Sequence, residues 1–205
     1  MGLLKRAADG PRWVVWGSRV LLRGGYDLYT LARGGSLADA MEPWMRVSRA
    51  NEIEWEKVAA EGFRAALFDL ENTLIPPGGP FDDSGRGVVA AARAAGLKVA
   101  VVSNASASWV AGALEAEGIP GIAPAGKPAS SAFHDACRML DVPPERSVYV
   151  GDQVITDVLG SQRAGLRAIL VEPKFEKEFL SSRFQRLVVK GVLKLTGKPK
   201  DTENA

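Results

Sequence analysis

FDLENTLI, residues 68–75, continues an apolar run that begins at Ala65, Ala66 and Leu67. The run delivers Asp69 to the point where a buried strand meets a loop, the edge at which parallel-sheet proteins bind ligands. Alternate residues of an extended chain share a face, so Asp69 and Glu71 project to the same side. Two carboxylates so paired suit metal ligation, nucleophilic attack or proton transfer. Acidic pairs of this kind also occur on ordinary surfaces, so the stretch by itself leaves a bland reading open.

Three later segments narrow the choice. VVSNAS (101–106) closes a second apolar run with small hydrogen-bonding residues, the composition a phosphate pocket needs. AGKPA (125–129) sets Lys127 between helix breakers, where an ammonium can be held against an anion. VYVGDQVITD (148–157) closes a third run with Gly151 and Asp152, and Asp157 follows on the next element. Taken singly, Lys127 reads as a solvated loop lysine, Ser103 and Asn104 as caps of the next helix, and Asp157 as a surface acid in a first helical turn. Thr73 reads as a local hydrogen-bonding partner.

Together and in this order, the segments resemble the four motifs of the haloacid dehalogenase (HAD) superfamily of phosphatases over roughly residues 63–172. Asp69, Glu71 and Thr73 look like its DxDxT, Ser103 its motif-two serine, Lys127 its motif-three lysine, and Gly151, Asp152 and Asp157 its GDxxxxD. The longer strings DLENTLI and VGDQVITDVLGSQRAG look like the IIIA-type branch, which includes phosphatidylglycerophosphate phosphatases. The resemblance implies a phosphorylated substrate and Mg²⁺, a hard cation that takes oxygen ligands. It implies that Asp69 attacks phosphorus, that Asp69, Asp152 and the backbone carbonyl of Glu71 hold the metal, and that Asp157 supports it. Ser103, the backbone beside Asn104, and Lys127 would bind the phosphoryl group. Glu71 departs from the pattern, which has Asp as the acid and base. The extra methylene matters because a misplacement of about 1 Å costs roughly 100-fold in rate. A phosphate-binding relative that does not turn over therefore stays open as an alternative.

Strand-like runs at 64–70, 97–103, 147–151 and 167–171, with a short fifth near 121–123, alternate with helical stretches at 84–95, 106–117, 129–140 and 156–164. This alternation predicts an α/β fold: a Rossmann-like parallel sheet flanked by helices. A further helix is expected at 51–61, opened by a capping box from Asn51 and Glu54. Neither 76–83 nor the segment between Ser103 and Lys127 has room for a lid domain, which needs roughly 50 residues. The site is thus expected to be capless, suiting a bulky or membrane-held substrate. The G-x-G-x-x-A at Gly85–Ala90 fails as a dinucleotide fingerprint, since PPGGPFDDS and not a strand precedes it.

The 205 residues divide into a basic, Trp-rich N-terminal extension (1–50), the HAD-like domain (51–173) and a basic amphipathic C-terminal helix with tail (174–205). A lone Cys137 excludes an internal disulfide, and with it a single His134, expected to be exposed, argues against histidine catalysis. These features favour a cytoplasmic setting. The net charge of +2 conceals basic ends: residues 174–205 carry eight Lys/Arg against four acids. Arg12, Arg19 and Arg23 share one helical face, as do Arg183, Arg186, Lys190 and Lys194. Such helices either lie on an anionic membrane surface, here at the inner face, or pack on the domain. Neither has the ~20 apolar residues needed to span a bilayer. No nucleic-acid motif accompanies the charge, an oligomer is compatible with it, and a soluble sugar or nucleotide phosphate remains an alternative substrate.

Overall fold

The computed structural model describes residues 4–5 and 39–174. The two amphipathic terminal helices and the tail expected from the sequence lie outside these residues. The strands are β1 (Leu4–Lys5), β2 (Met45–Val47), β3 (Ala65–Phe68), β4 (Lys98–Val102), β5 (Gly121–Ile122), β6 (Ser147–Gly151) and β7 (Arg167–Val171). They form one sheet in the order β1-β5-β4-β3-β6-β7-β2, with every pairing parallel. The helices are α1 (Trp55–Ala60), α2 (Asp83–Ala94), α3 (Ala107–Glu115), α4 (Ser131–Leu140) and α5 (Gly160–Arg163), the last reached through a π-helical turn, Val154–Leu159.

The central strands are almost wholly buried because both faces of the sheet are covered. In β3, Ala66 and Phe68 face one layer, with Trp55, Val58, Val88, Ala92, Val110 and Leu114 from α1, α2 and α3. Ala65 and Leu67 face the other, with Ala132, Phe133, Ala136 and Cys137 from α4. The period-two alternation thus separates two cores, and the expected α/β architecture is the observed one. The 69–82 segment is a loop ending at Asp82, whose carboxylate caps α2 by accepting from the Gly85 N–H at 2.8 Å. Only α3 and β5 intervene between β4 and Lys127, so no domain is inserted over the sheet among the described residues.

Three local expectations differ. The helix expected at 51–61 begins at Trp55, after a 3₁₀ turn at Ala50–Glu52, and Glu54 makes no capping bond. Ile53 is responsible: it is buried with extended backbone, which breaks the helix before it starts. Residues 45–47, read as part of the N-terminal extension, form the edge strand β2 on β7. His134 is half-buried, with its Nε2 3.0 Å from the Ala164 carbonyl, because the turn after α5 packs against α4. At the other end of the domain, Lys174 returns to the loop after β3. Its N–H donates to the Asn72 carbonyl at 2.9 Å and its ammonium pairs with Asp82 at 2.7 Å.

Candidate active site

All C-terminal strand ends of a parallel sheet lie along one edge. Asp69, Ser103 and Asp152 are the first residues past β3, β4 and β6, which are neighbours in the sheet, so the topology sets them side by side. The ladder continues into them: the Asp69 N–H donates to the Val150 carbonyl at 2.8 Å, and the Ser103 N–H to the Ile122 carbonyl at 3.0 Å. Rigid strand ends therefore hold these groups.

Lys127 comes from the loop after β5. Asn104 grips its backbone from both sides, accepting from the Lys127 N–H at 2.7 Å and donating to its carbonyl at 3.1 Å. The ammonium, only 2 % exposed as a residue, donates to Asp69 Oδ1 at 2.8 Å, Asp157 Oδ1 at 2.7 Å and the Tyr149 hydroxyl at 2.7 Å. Asp157 is equally buried and stands on the π-helical turn, where its second oxygen accepts from the Gln153 N–H at 3.0 Å. It packs so closely on the end of β6 that a Cβ at Gly151 would lie 2.5 Å from its carboxyl carbon. Glycine is required there by space alone.

The electrostatics follow from burial and crowding. Burial pushes the Asp69 carboxyl up to about 6, with Lys127 pulling against it. Burial, then Asp157 and Asp69, push Asp152 up to about 8. Burial works against the Lys127 ammonium, but Asp157 and Asp69 outweigh it and raise its pKa. Asp69 and Asp157 thus hold the ammonium between them, and oxygens of Asp69, Asp152 and Asp157 all lie within 4.8 Å of one another. Asp152 Oδ1 is buried without a hydrogen-bond partner among the described residues. A converging set of hard oxygen donors, one of them unpartnered, with excess negative charge, fits a Mg²⁺-type cation.

The structure brings Asp69, Lys127, Asp152 and Asp157 together and seats Ser103 beside them. Ser103 Oγ accepts from the Ala105 N–H at 3.2 Å, leaving its proton available. The Glu71 carboxylate is directed elsewhere: Oε1 accepts from the Gly78 N–H at 2.8 Å, and it is not one of the clustered acids. The Asn104 side chain is engaged with the Lys127 backbone. Thr73 is not the local partner it was expected to be; its buried hydroxyl has none among the described residues. Two contributors are hidden in the sequence: Tyr149, whose phenol lies within an apolar run, and Gln153, whose contribution is a backbone N–H. A hydroxyl amid Val148 and Val150 was the available signal. A groove of ≈ 430 Å³ lined by His134, Cys137 and Pro143 lies at the other edge of the sheet, away from this chemistry.

A sequence model of the HAD-hydrolase-like family matches residues 124–178. "Probable phosphatase YqeG" of Bacillus subtilis (strain 168) is 35 % identical over 147 residues, covering 67 % of this chain and 81 % of that protein. The chain belongs to the HAD superfamily of phosphatases. "Phosphatidylglycerophosphate phosphatase 1, chloroplastic/mitochondrial" of Arabidopsis thaliana is 29 % identical over 168 residues, 71 % of this chain but only 45 % of that protein. Among solved structures, a Listeria monocytogenes serotype 4b protein aligns at 20 % identity with a TM-score of 0.46, over 66 % of this chain and 100 % of its own.

Proposed function

We propose that this phosphatase is a Mg²⁺-dependent phosphomonoesterase that works through an aspartyl-phosphate on Asp69 and acts on a phospholipid headgroup of the phosphatidylglycerophosphate type. The observation that carries the chemistry is Asp69 at its strand end, fixed by Lys127 within the buried acidic cluster. Asp69, Asp152 and the residue-71 carbonyl would hold the metal, with Asp157 behind them; when bound, it supplies charge neutralisation at the phosphoryl oxygens. An Asp69 oxygen bonds to phosphorus as the ester P–O bond breaks, and the leaving alcohol takes a proton. Glu71 is the group for that transfer once it leaves the Gly78 N–H, and it then accepts a proton from the water that cleaves the acyl phosphate. Ser103 and the backbone of Asn104 donate to the phosphoryl oxygens, and Lys127 balances their charge. The products are the alcohol and inorganic phosphate.

Three observations support a lipid headgroup. The strand edge carries no inserted domain among the described residues, both terminal segments are basic, and one relative bears a phosphatidylglycerophosphate phosphatase name. Each Lys or Arg near an anionic surface contributes about 1 kcal/mol, so a few suffice for peripheral attachment. None of the described helices is long and apolar enough to cross a membrane. The test is phosphate release from an aryl phosphate, then from phosphatidylglycerophosphate, sugar phosphates and nucleotides, with binding to anionic and neutral vesicles. Chelation and Asp69→Asn should each abolish release. Undiminished activity in Asp69→Asn rules out this site, and a wide preference for a soluble phosphate with no vesicle binding rules out the lipid substrate.

One observation favours a second reading. With Glu71 engaged by Gly78, a relative that accepts phosphate on Asp69 but does not release it is consistent with the geometry. Single-turnover phosphorylation by acetyl phosphate without steady-state hydrolysis would select it.

A further inference from the structure

Lys127 has three N–H bonds to donate, and each has a partner: Asp69, Asp157 and the Tyr149 hydroxyl. Two of these are carboxylates that a substrate or cation would draw away. The third is uncharged and rigidly mounted. Tyr149 is fully buried in the central strand β6, its ring edge-on to Phe133 at 4.9 Å between centroids. Its single proton is directed to the Val102 carbonyl at 3.0 Å, the nearer of two acceptors, since Asp157 Oδ1 stands at 3.4 Å. That leaves an oxygen lone pair turned towards the ammonium. One hydroxyl therefore touches the end of the strand before Ser103, the Lys127 side chain and the Asp157 carboxylate.

We propose that Tyr149 is a positioning residue that fixes the Lys127 ammonium between Asp69 and Asp157. The proposal builds on the phosphatase reading above but makes its own structural claim. A phenol has only two torsions and here both are locked by packing, so it marks a point in space that a flexible four-carbon lysine stem cannot keep by itself. Without the hydroxyl, the ammonium retains only carboxylate partners and moves onto them. It is then held against the Asp69 oxygens needed for attack, and its reach to a phosphoryl group shifts. Misplacement on the ångström scale costs up to roughly 100-fold in rate.

The test is Tyr149→Phe in the full chain, with two readouts. With an aryl phosphate, kcat falls at least about 10-fold while KM changes by less than about 3-fold. With ¹⁵N-lysine-labelled protein, the Lys127 ammonium signal of the wild type, protected by three buried hydrogen bonds, shifts and exchanges faster. Wild-type kcat together with an unchanged Lys127 signal overturns the proposal. If the wild type itself hydrolyses nothing, the phosphatase reading fails, while the Lys127 signal still decides the role of Tyr149. If Tyr149→Phe folds but is less stable, its loss of melting temperature is compared with the loss it causes in the Lys127→Met background at pH 5, where that variant is least destabilised. There the hydroxyl has no ammonium to hold, so adding Tyr149→Phe lowers the melting temperature much less; an equal loss in both backgrounds contradicts the pairing.

Discussion

Among the described residues, Lys127 is the cation paired with Asp69 and Asp157, so its removal changes the charge state of the cluster they form with Asp152. In Lys127→Met the carboxylates are left buried and unpaired at high pH, and breaking a buried pair in this way costs about 3–5 kcal/mol. Protonation relieves that cost as pH falls. Urea denaturation should therefore show Lys127→Met strongly destabilised at pH 8 and much less so at pH 5, with hydrolysis lost at both. A pH-independent loss would mean that Lys127 acts by packing alone. Much of this residue-level picture was legible in the chain. Asp69 and Asp152 each stand directly after an apolar run, so their position at a strand end could be read. The direction of Glu71 could not, because it depends on where the Gly78 N–H comes to lie. Nor could the partners of Lys127, since Tyr149 reaches it only through the pairing of β6 with β3 and the docking of the β5 loop.

Among the elements, the π-helical turn has the largest bearing on the site. The sequence predicts a helix at 156–164, but the chain already turns at Val154, with the Val158 N–H donating to the Gln153 carbonyl five residues back. Such turns are rare and recur at functional sites. Here the turn places Asp157 beneath Gly151, and a side chain on Gly151 would take that space. Gly151→Ala should displace Asp157 from Lys127, lowering kcat by roughly 100-fold and stability by about 1–3 kcal/mol. Steady-state kinetics and urea melts check both, and a fully active Gly151→Ala would show that the close approach is dispensable. Long buried strands were readable because continuous apolar runs have few other interpretations. β2 was not: three residues, MRV, centred on an exposed arginine, form a strand only because the edge of β7 is available to pair with them.

For the whole molecule, the crowded acids tie stability to pH and to cations. Asp69 titrates near 6 and Asp152 near 8, both above the ordinary carboxylate value of 3.8. Between those values the native protein holds protons that the unfolded chain has released. The stabilisation is thus complete below about pH 4 and lost as pH rises through 6 and then 8. Metal-free protein should melt at progressively lower temperature over that range. Saturating Mg²⁺ binds the deprotonated cluster of the native state, so it should raise the melting temperature more at pH 8 than at pH 5. An equal rise at both would separate cation binding from these carboxyls. Whether the sheet edge delivers Asp69 to phosphorus as a nucleophile is read from acid-quenched turnover followed by peptide mass spectrometry. The expected result is one phosphoryl group, carried by Asp69 and absent from Asp69→Asn. A phosphoryl group on another residue, or steady hydrolysis by Asp69→Asn, would contradict it.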